Sequence, residues 1–135
     1  MCAVRFFVFV LAVAALAGPG QSEEFRYPGL LETYRNGNDL MKGHLERTTV
    51  GGTISGTGTV AKVRECGFWD VHCTEGYRVL LDDGESQVIL YYPLRSLGRL
   101  MRLDVGSRHT FRQCRIVELA DWGFNQTVYC NMERF

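Results

Sequence analysis

The 135-residue chain has almost no lysine: Lys42 and Lys62 stand against 13 arginines. Arginine favours planar, bidentate contacts to carboxylate, sulfate or phosphate. The chain also lacks Gly-x-Ser-x-Gly, His-Glu-x-x-His and a glycine-rich phosphate loop with its lysine, so the common signatures of hydrolases, metalloproteases and nucleotide enzymes are missing. The glycine-rich stretch Gly51 to Gly58 has no such lysine and reads as a flexible entry into a strand. The spacing of Cys66, Cys73, Cys114 and Cys130 fits no common zinc pattern. No catalytic residue, metal or cofactor is therefore expected. Beyond residue 22 no apolar run reaches spanning length, so no transmembrane span is expected either.

What is present begins with a leader. Residues 2–17, CAVRFFVFVLAVAALA, hold Arg5 and then an unbroken apolar run, followed by Gly18-Pro19-Gly20. That is the pattern of a secretory signal peptide, assigned to 1–22, with cleavage after Ala17 or Ser22. No cysteine closes the apolar run, so no bacterial lipoprotein signal is read there. Loss of the leader removes Arg5 and Cys2 and leaves a net charge near −1. A near-neutral chain argues against general nucleic-acid binding and turns attention to a protein or glycan partner. Four cysteines on an exported chain read as two disulfides. Of three pairings, Cys66–Cys73, closing a short loop, and Cys114–Cys130, tying the last two strands, are the expected ones. The location is then secreted or periplasmic. Asn125-Gln126-Thr127 matches the N-glycosylation acceptor and, in a eukaryote, marks a surface position.

Residues 23–52 read as an N-terminal arm with short helical turns. Leu30, Leu31 and Tyr34, then Leu40, Met41 and Leu45, flank the breaker Asn36-Gly37-Asn38. From Thr53 the composition turns to Thr, Val and Gly. The apolar alternation changes phase after Gly56 and Gly58, which predicts one long strand with a bend or bulge. Tyr77 to Leu81 and Ser86 to Tyr92 read as a hairpin across an Asp-Gly turn, stopped by Pro93. Leu94, Leu97, Leu100 and Met101 recur at helical spacing, with Arg95, Arg99 and Arg102 on the other side. Strands over 109–119 and 127–132 complete the order strand, strand, strand, helix, strand, strand. Over 53–132 this order resembles the OB-fold. The predicted class is all-β with one short helix: a five-stranded, OB-like Greek-key barrel, stabilised by disulfides, in a domain spanning 53–135.

The resemblance implies that the loop between the first two strands, here 67–76, shapes a ligand site. Phe68 and Trp69 lie in it, and Trp122 lies with Phe124 in a second loop; exposed rings of this kind make ligand platforms. The helical stripe Arg95, Arg99 and Arg102 is the other candidate binding surface. Arg112 and Arg115 fall on opposite faces of a regular strand. Asp82, Asp83 and Glu85 cluster at the hairpin turn, where carboxylates hold calcium in some nucleases of this fold, yet a turn calls for Asp and Gly on backbone grounds alone. His44, His72 and His109 are scattered without sequence partners. The expected function is a secreted, non-enzymatic binding domain for a protein or glycan, with oligomerisation left open. The alternatives are an accessory subunit of a secreted or envelope complex, docking through 23–52, and a small metal-dependent hydrolase or nuclease using Asp82 or Asp83.

Overall fold

The structure is a computed structural model that describes residues 23–132; the predicted leader at 1–22 lies outside the described residues. The described residues are mostly β-sheet, with three short helices and two disulfides. Strand β1 (Glu24–Tyr27) runs parallel to the first half of β2 (Thr53–Glu65). Over Thr53 to Thr59, β2 also pairs antiparallel with β5 (Arg108–Asp121), and its second half pairs with β3 (Tyr77–Asp82). Strand β4 (Ser86–Tyr92) pairs with β3 and lies parallel to β6 (Gln126–Asn131), which returns antiparallel to β5. Because β2 pairs with both β3 and β5, the six-stranded sheet closes in a ring.

Serving two neighbours requires β2 to be long and bent. Its register shifts between Ile54 and Gly56 and again between Val60 and Lys62, where the change of apolar phase predicted a bend. Gly56 is needed for close approach: a Cβ there would sit 2.5 Å from the Tyr27 carbonyl oxygen. The ring interior is filled by Ile54, Val60, Val79, Leu81, Val88, Leu90, Phe111, Ile116 and Val128, with the Cys114–Cys130 bond among them. Burying each such aliphatic or phenyl side chain contributes about 1.5–3 kcal/mol. Strand β5 is not regular. Gln113 sits at φ 52°, its N–H donating to the Ser55 hydroxyl at 2.9 Å. That bulge turns Phe111 and Cys114, three residues apart, both inward. Arg112 and Arg115 are in consequence both exposed, rather than on opposite faces.

Residues 23–52 contribute to sheet and core together. Helix α1 (Gly29–Asn36) buries Leu30, Leu31 and Tyr34 against the ring interior. Helix α2 (Asp39–Thr48) is capped by Asn38, whose side chain accepts from the Met41 N–H at 3.0 Å, and it fully buries no residue. Tyr27 Oη donates to Asp83 at 2.6 Å, and Arg35 donates to Gln126 Oε1 at 2.7 Å and Ser86 Oγ at 2.6 Å. The sheet thus has six strands where five were expected, because EFRY at 24–27 is too short to show a period. The one expected helix is also broken up: a 3₁₀ turn (Leu94–Ser96) precedes a single-turn helix α3 (Leu97–Leu100). The change of helical repeat prevents a common apolar line, so Leu100 is buried while Leu94, Leu97 and Met101 are exposed.

Candidate ligand-binding surface

The loop after β2 lies flat on the outside of the ring. Alternation along β4 sends Val88, Leu90 and Tyr92 inward and Ile89 and Tyr91 outward, yet the outward pair is also buried. The cover is the loop closed by Cys66–Cys73, which packs on Ile89, Tyr91, Leu80 and Tyr129 as a second, smaller apolar cluster. Two polar anchors hold the loop down. Asp70 accepts from Arg64 through both carboxylate oxygens at 3.1 and 3.3 Å and from the Gly67 N–H at 2.6 Å. Its side chain is only 6% exposed. Desolvation opposes its charge, but the Gly67 N–H and the Arg64 and Arg78 guanidiniums outweigh that and hold the carboxyl below its ordinary range. His72 Nε2 meets Glu118 Oε1 on β5 at 2.7 Å, with its ring beside Tyr91 and Tyr129. Burial pushes the Tyr91 phenol up to about 12.

With Asp70, His72 and Cys73 facing the sheet, the remaining residues of the loop face water. Phe68 is 93% exposed, Trp69 67% and Val71 85%, the two rings edge to face at 4.4 Å. Trp122 and Phe124, in the turn between β5 and β6, are exposed as well. Trp122 lies near Tyr129, which stands beside His72, so an aromatic strip runs from the disulfide loop to that turn. The turn is tied to α2 by Lys42 Nζ on Asp121 Oδ2 at 2.7 Å. Asp121 also accepts from Gln126 and Gly123, which lowers its carboxyl to about 2. Between the loop and the 3₁₀ turn lies a groove of about 320 Å³, lined by His72, Thr74, Glu75, Tyr91, Arg95 and Asn131 among others.

The candidate residues are therefore only partly brought together. Phe68, Trp69 and Trp122 belong to one strip, and Arg95 lines the adjoining groove. Arg99 lies on α3 and Arg102 beyond its end, and with the helix broken the three arginines form no single helical stripe. The carboxylates of the hairpin turn are directed apart: Asp82 accepts from the Gly84 N–H, Asp83 from Tyr27, Thr59 and Arg108, and Glu85 pairs with Arg35. Among the described residues no three His, Cys, Asp or Glu side chains gather as metal ligands. His109 meets Tyr92 Oη at 3.0 Å, and burial lowers its pKa. Asn125, expected at the surface, is buried, with its Oδ1 accepting from Thr127, because the turn folds its side chain inward. The residues missed in sequence are Lys62, Arg64, Arg78, Tyr129 and Glu118, the last being the partner that His72 lacked in sequence. Their signal is polar or aromatic side chains at the outward positions of strands, which only the register collects into one surface.

No protein-family model and no curated protein matches the chain. A solved structure of a Klebsiella pneumoniae lipoprotein, whose name proposes nucleic-acid binding, is similar in fold. Its TM-score is 0.53 and its identity 12%, over 87% of this chain and 91% of that one. The likeness shows the fold. It also overturns the expectation that nucleic-acid binding is excluded here. Net charge is a sum over the whole surface, whereas Lys62, Arg64 and Arg78 stand together on one stretch of sheet. Two disulfides fit an extracytoplasmic location, and among the described residues no helix is long and apolar enough to cross a membrane.

Proposed function

We propose that the ring formed by β2, β3, β4, β6 and β5 is an OB-like Greek-key barrel, with β1 as an added strand, and that the protein is a secreted or periplasmic, non-enzymatic binding domain for a protein or glycan. One observation carries the reading. Phe68, Trp69 and Val71 are held in water by a loop that a disulfide and two polar anchors prevent from folding inward. Collapse of these side chains onto apolar surface is worth about 1.5–3 kcal/mol each, so a loop that forgoes it is shaped for a partner that covers them. Trp122 and Phe124 extend the surface, and Arg95 and Glu75 supply polar contacts in the groove beside it.

The test is binding of the oxidised protein to a glycan array and to proteins captured from its native compartment, with single-stranded oligonucleotides in parallel. A Phe68→Ala/Trp69→Ala variant should keep its melting temperature and lose about 100-fold or more in affinity, the scale of a double aromatic hot spot. Unchanged affinity for every partner found would sink the reading. The accessory-subunit reading, docking through 23–52, has its own support, because Leu40 and Met41 are exposed on α2 and line one groove with Gly37 and His44. A stable complex that survives loss of Phe68 and Trp69 but not of Leu40 and Met41 would favour it.

A further inference from the structure

The stretch of sheet beneath the disulfide loop carries more positive charge than the loop neutralises. Arg64 and Arg78 stand directly opposite each other in the β2–β3 register, and like charges so placed repel. Lys62 follows on the same face of β2, opposite Leu80. These three cations and Leu80 line a cavity of about 20 Å³. One carboxylate serves them unevenly. Asp70 forks onto Arg64 at 3.1 and 3.3 Å, but its nearest approach to Arg78 is 3.8 Å, beyond hydrogen-bond reach. Arg78 Nε is buried and has no acceptor among the described residues. A buried guanidinium donor left unmet is costly, and in a site with three cations and one anion the missing element is negative charge with more than two acceptor oxygens.

We propose that Lys62, Arg64 and Arg78 form a binding site for a tetrahedral oxyanion, the phosphate or sulfate group of a larger ligand, and that Asp70 is its built-in competitor. The inference goes beyond the binding surface assigned to Phe68 and Trp69 and does not rest on it, because the site lies on the sheet beneath the loop. Guanidinium forks match a tetrahedral oxyanion in geometry, and four oxygens reach both arginines and the Lys62 ammonium where a carboxylate reaches one fork. The cavity itself admits only a water-sized group, and the Arg64 fork beside it is occupied by Asp70. The oxyanion therefore enters by taking the position of the Asp70 carboxylate on Arg64. That frees one of the two polar anchors of the loop and couples oxyanion binding to release of its central segment.

The experiment titrates the full oxidised chain with inorganic sulfate and phosphate, read by calorimetry and by Trp69 fluorescence, against sodium chloride at matched ionic strength. The expected result is saturable 1:1 binding that chloride does not reproduce. Asp70→Asn removes the competitor and should tighten it about tenfold, the worth of one charge-assisted hydrogen bond. Arg78→Gln should weaken it about tenfold or more. Asp70→Asn also leaves two opposed arginines unpaired, so its melting temperature should fall and be restored by sulfate by more degrees than in the parent chain. Lys62→Gln, at an exposed position, tests the site where the other variants fold poorly and should weaken binding severalfold. Phenyl phosphate against phenyl sulfate identifies the class of ester, as the one bound more tightly. No tightening in folded Asp70→Asn, full binding by Arg78→Gln or Lys62→Gln, or equal effects of chloride and sulfate would each overturn the proposal.

Discussion

The two disulfides lie on opposite sides of one sheet. Cys114–Cys130 is inside the ring, with both residues fully buried among the largest core side chains. Cys66–Cys73 is outside, half-covered, and closes a loop whose other contacts are two polar anchors and a small apolar cluster. The chain-entropy term barely separates them, since separations of 16 and 7 residues differ by only about 0.7 kcal/mol. What separates them is their surroundings. The inner bond is part of the packing inside the closed ring, and the outer bond fixes where the 67–72 loop lies.

The largest effect should come from the inner bond. A Cys114→Ala/Cys130→Ala chain should lose about 3–5 kcal/mol in urea melts, combining a lost cross-link with a cavity in a packed interior. The outer pair, Cys66→Ala/Cys73→Ala, should lose roughly 2 kcal/mol and, unlike the inner pair, should speed hydrogen exchange and proteolysis selectively within 67–72. Equal losses with no local change at 67–72 would break the comparison. Mild reductant should likewise open Cys66–Cys73 first, followed by mass spectrometry of alkylated peptides, because a thiolate must reach the sulfur it attacks.

Acid sharpens the comparison at the far end of the aromatic strip. The Asp121 carboxyl ionises at about 2 in the folded chain against 3.8 for a free side chain. Its stabilisation is therefore fully present above pH 3.8 and is lost as pH falls through about 2. Asp121→Asn should lower the melting temperature at pH 7 and flatten its decline between those two values; an unchanged decline would detach Asp121 from the tie between α2 and the β5–β6 turn. The Asp70 carboxyl has the same sign, so acid also loosens the disulfide loop. The smallest expected effect is at the loop tip. Phe68→Ala/Trp69→Ala should change stability by within about 0.5 kcal/mol, as substitutions at exposed positions do. A larger loss would mean that the rings support the fold.

Sequence by itself determined the parts of this protein that local period and composition encode. The phase change after Gly56 and Gly58 announced the bent strand, and the Asp-Gly step between two apolar runs announced the hairpin. The even count of four cysteines beyond residue 22 announced two disulfides. The aromatic residues Phe68, Trp69 and Trp122 were legible as exposed candidates because no apolar period claimed them. Tertiary structure alone decided the rest. Leu30, Leu31 and Tyr34 became core because α1 packs on the ring, and the 94–102 segment lost its common apolar face because 3₁₀ and α turns do not share a repeat. Arg64 met Arg78, and His72 met Glu118 across 46 residues, through a register and a loop path that no local window contains. The physical reason is that side-chain parity is a property of a short segment, whereas which strands become neighbours, and what covers their outer faces, depends on long-range pairing that the whole chain must satisfy together.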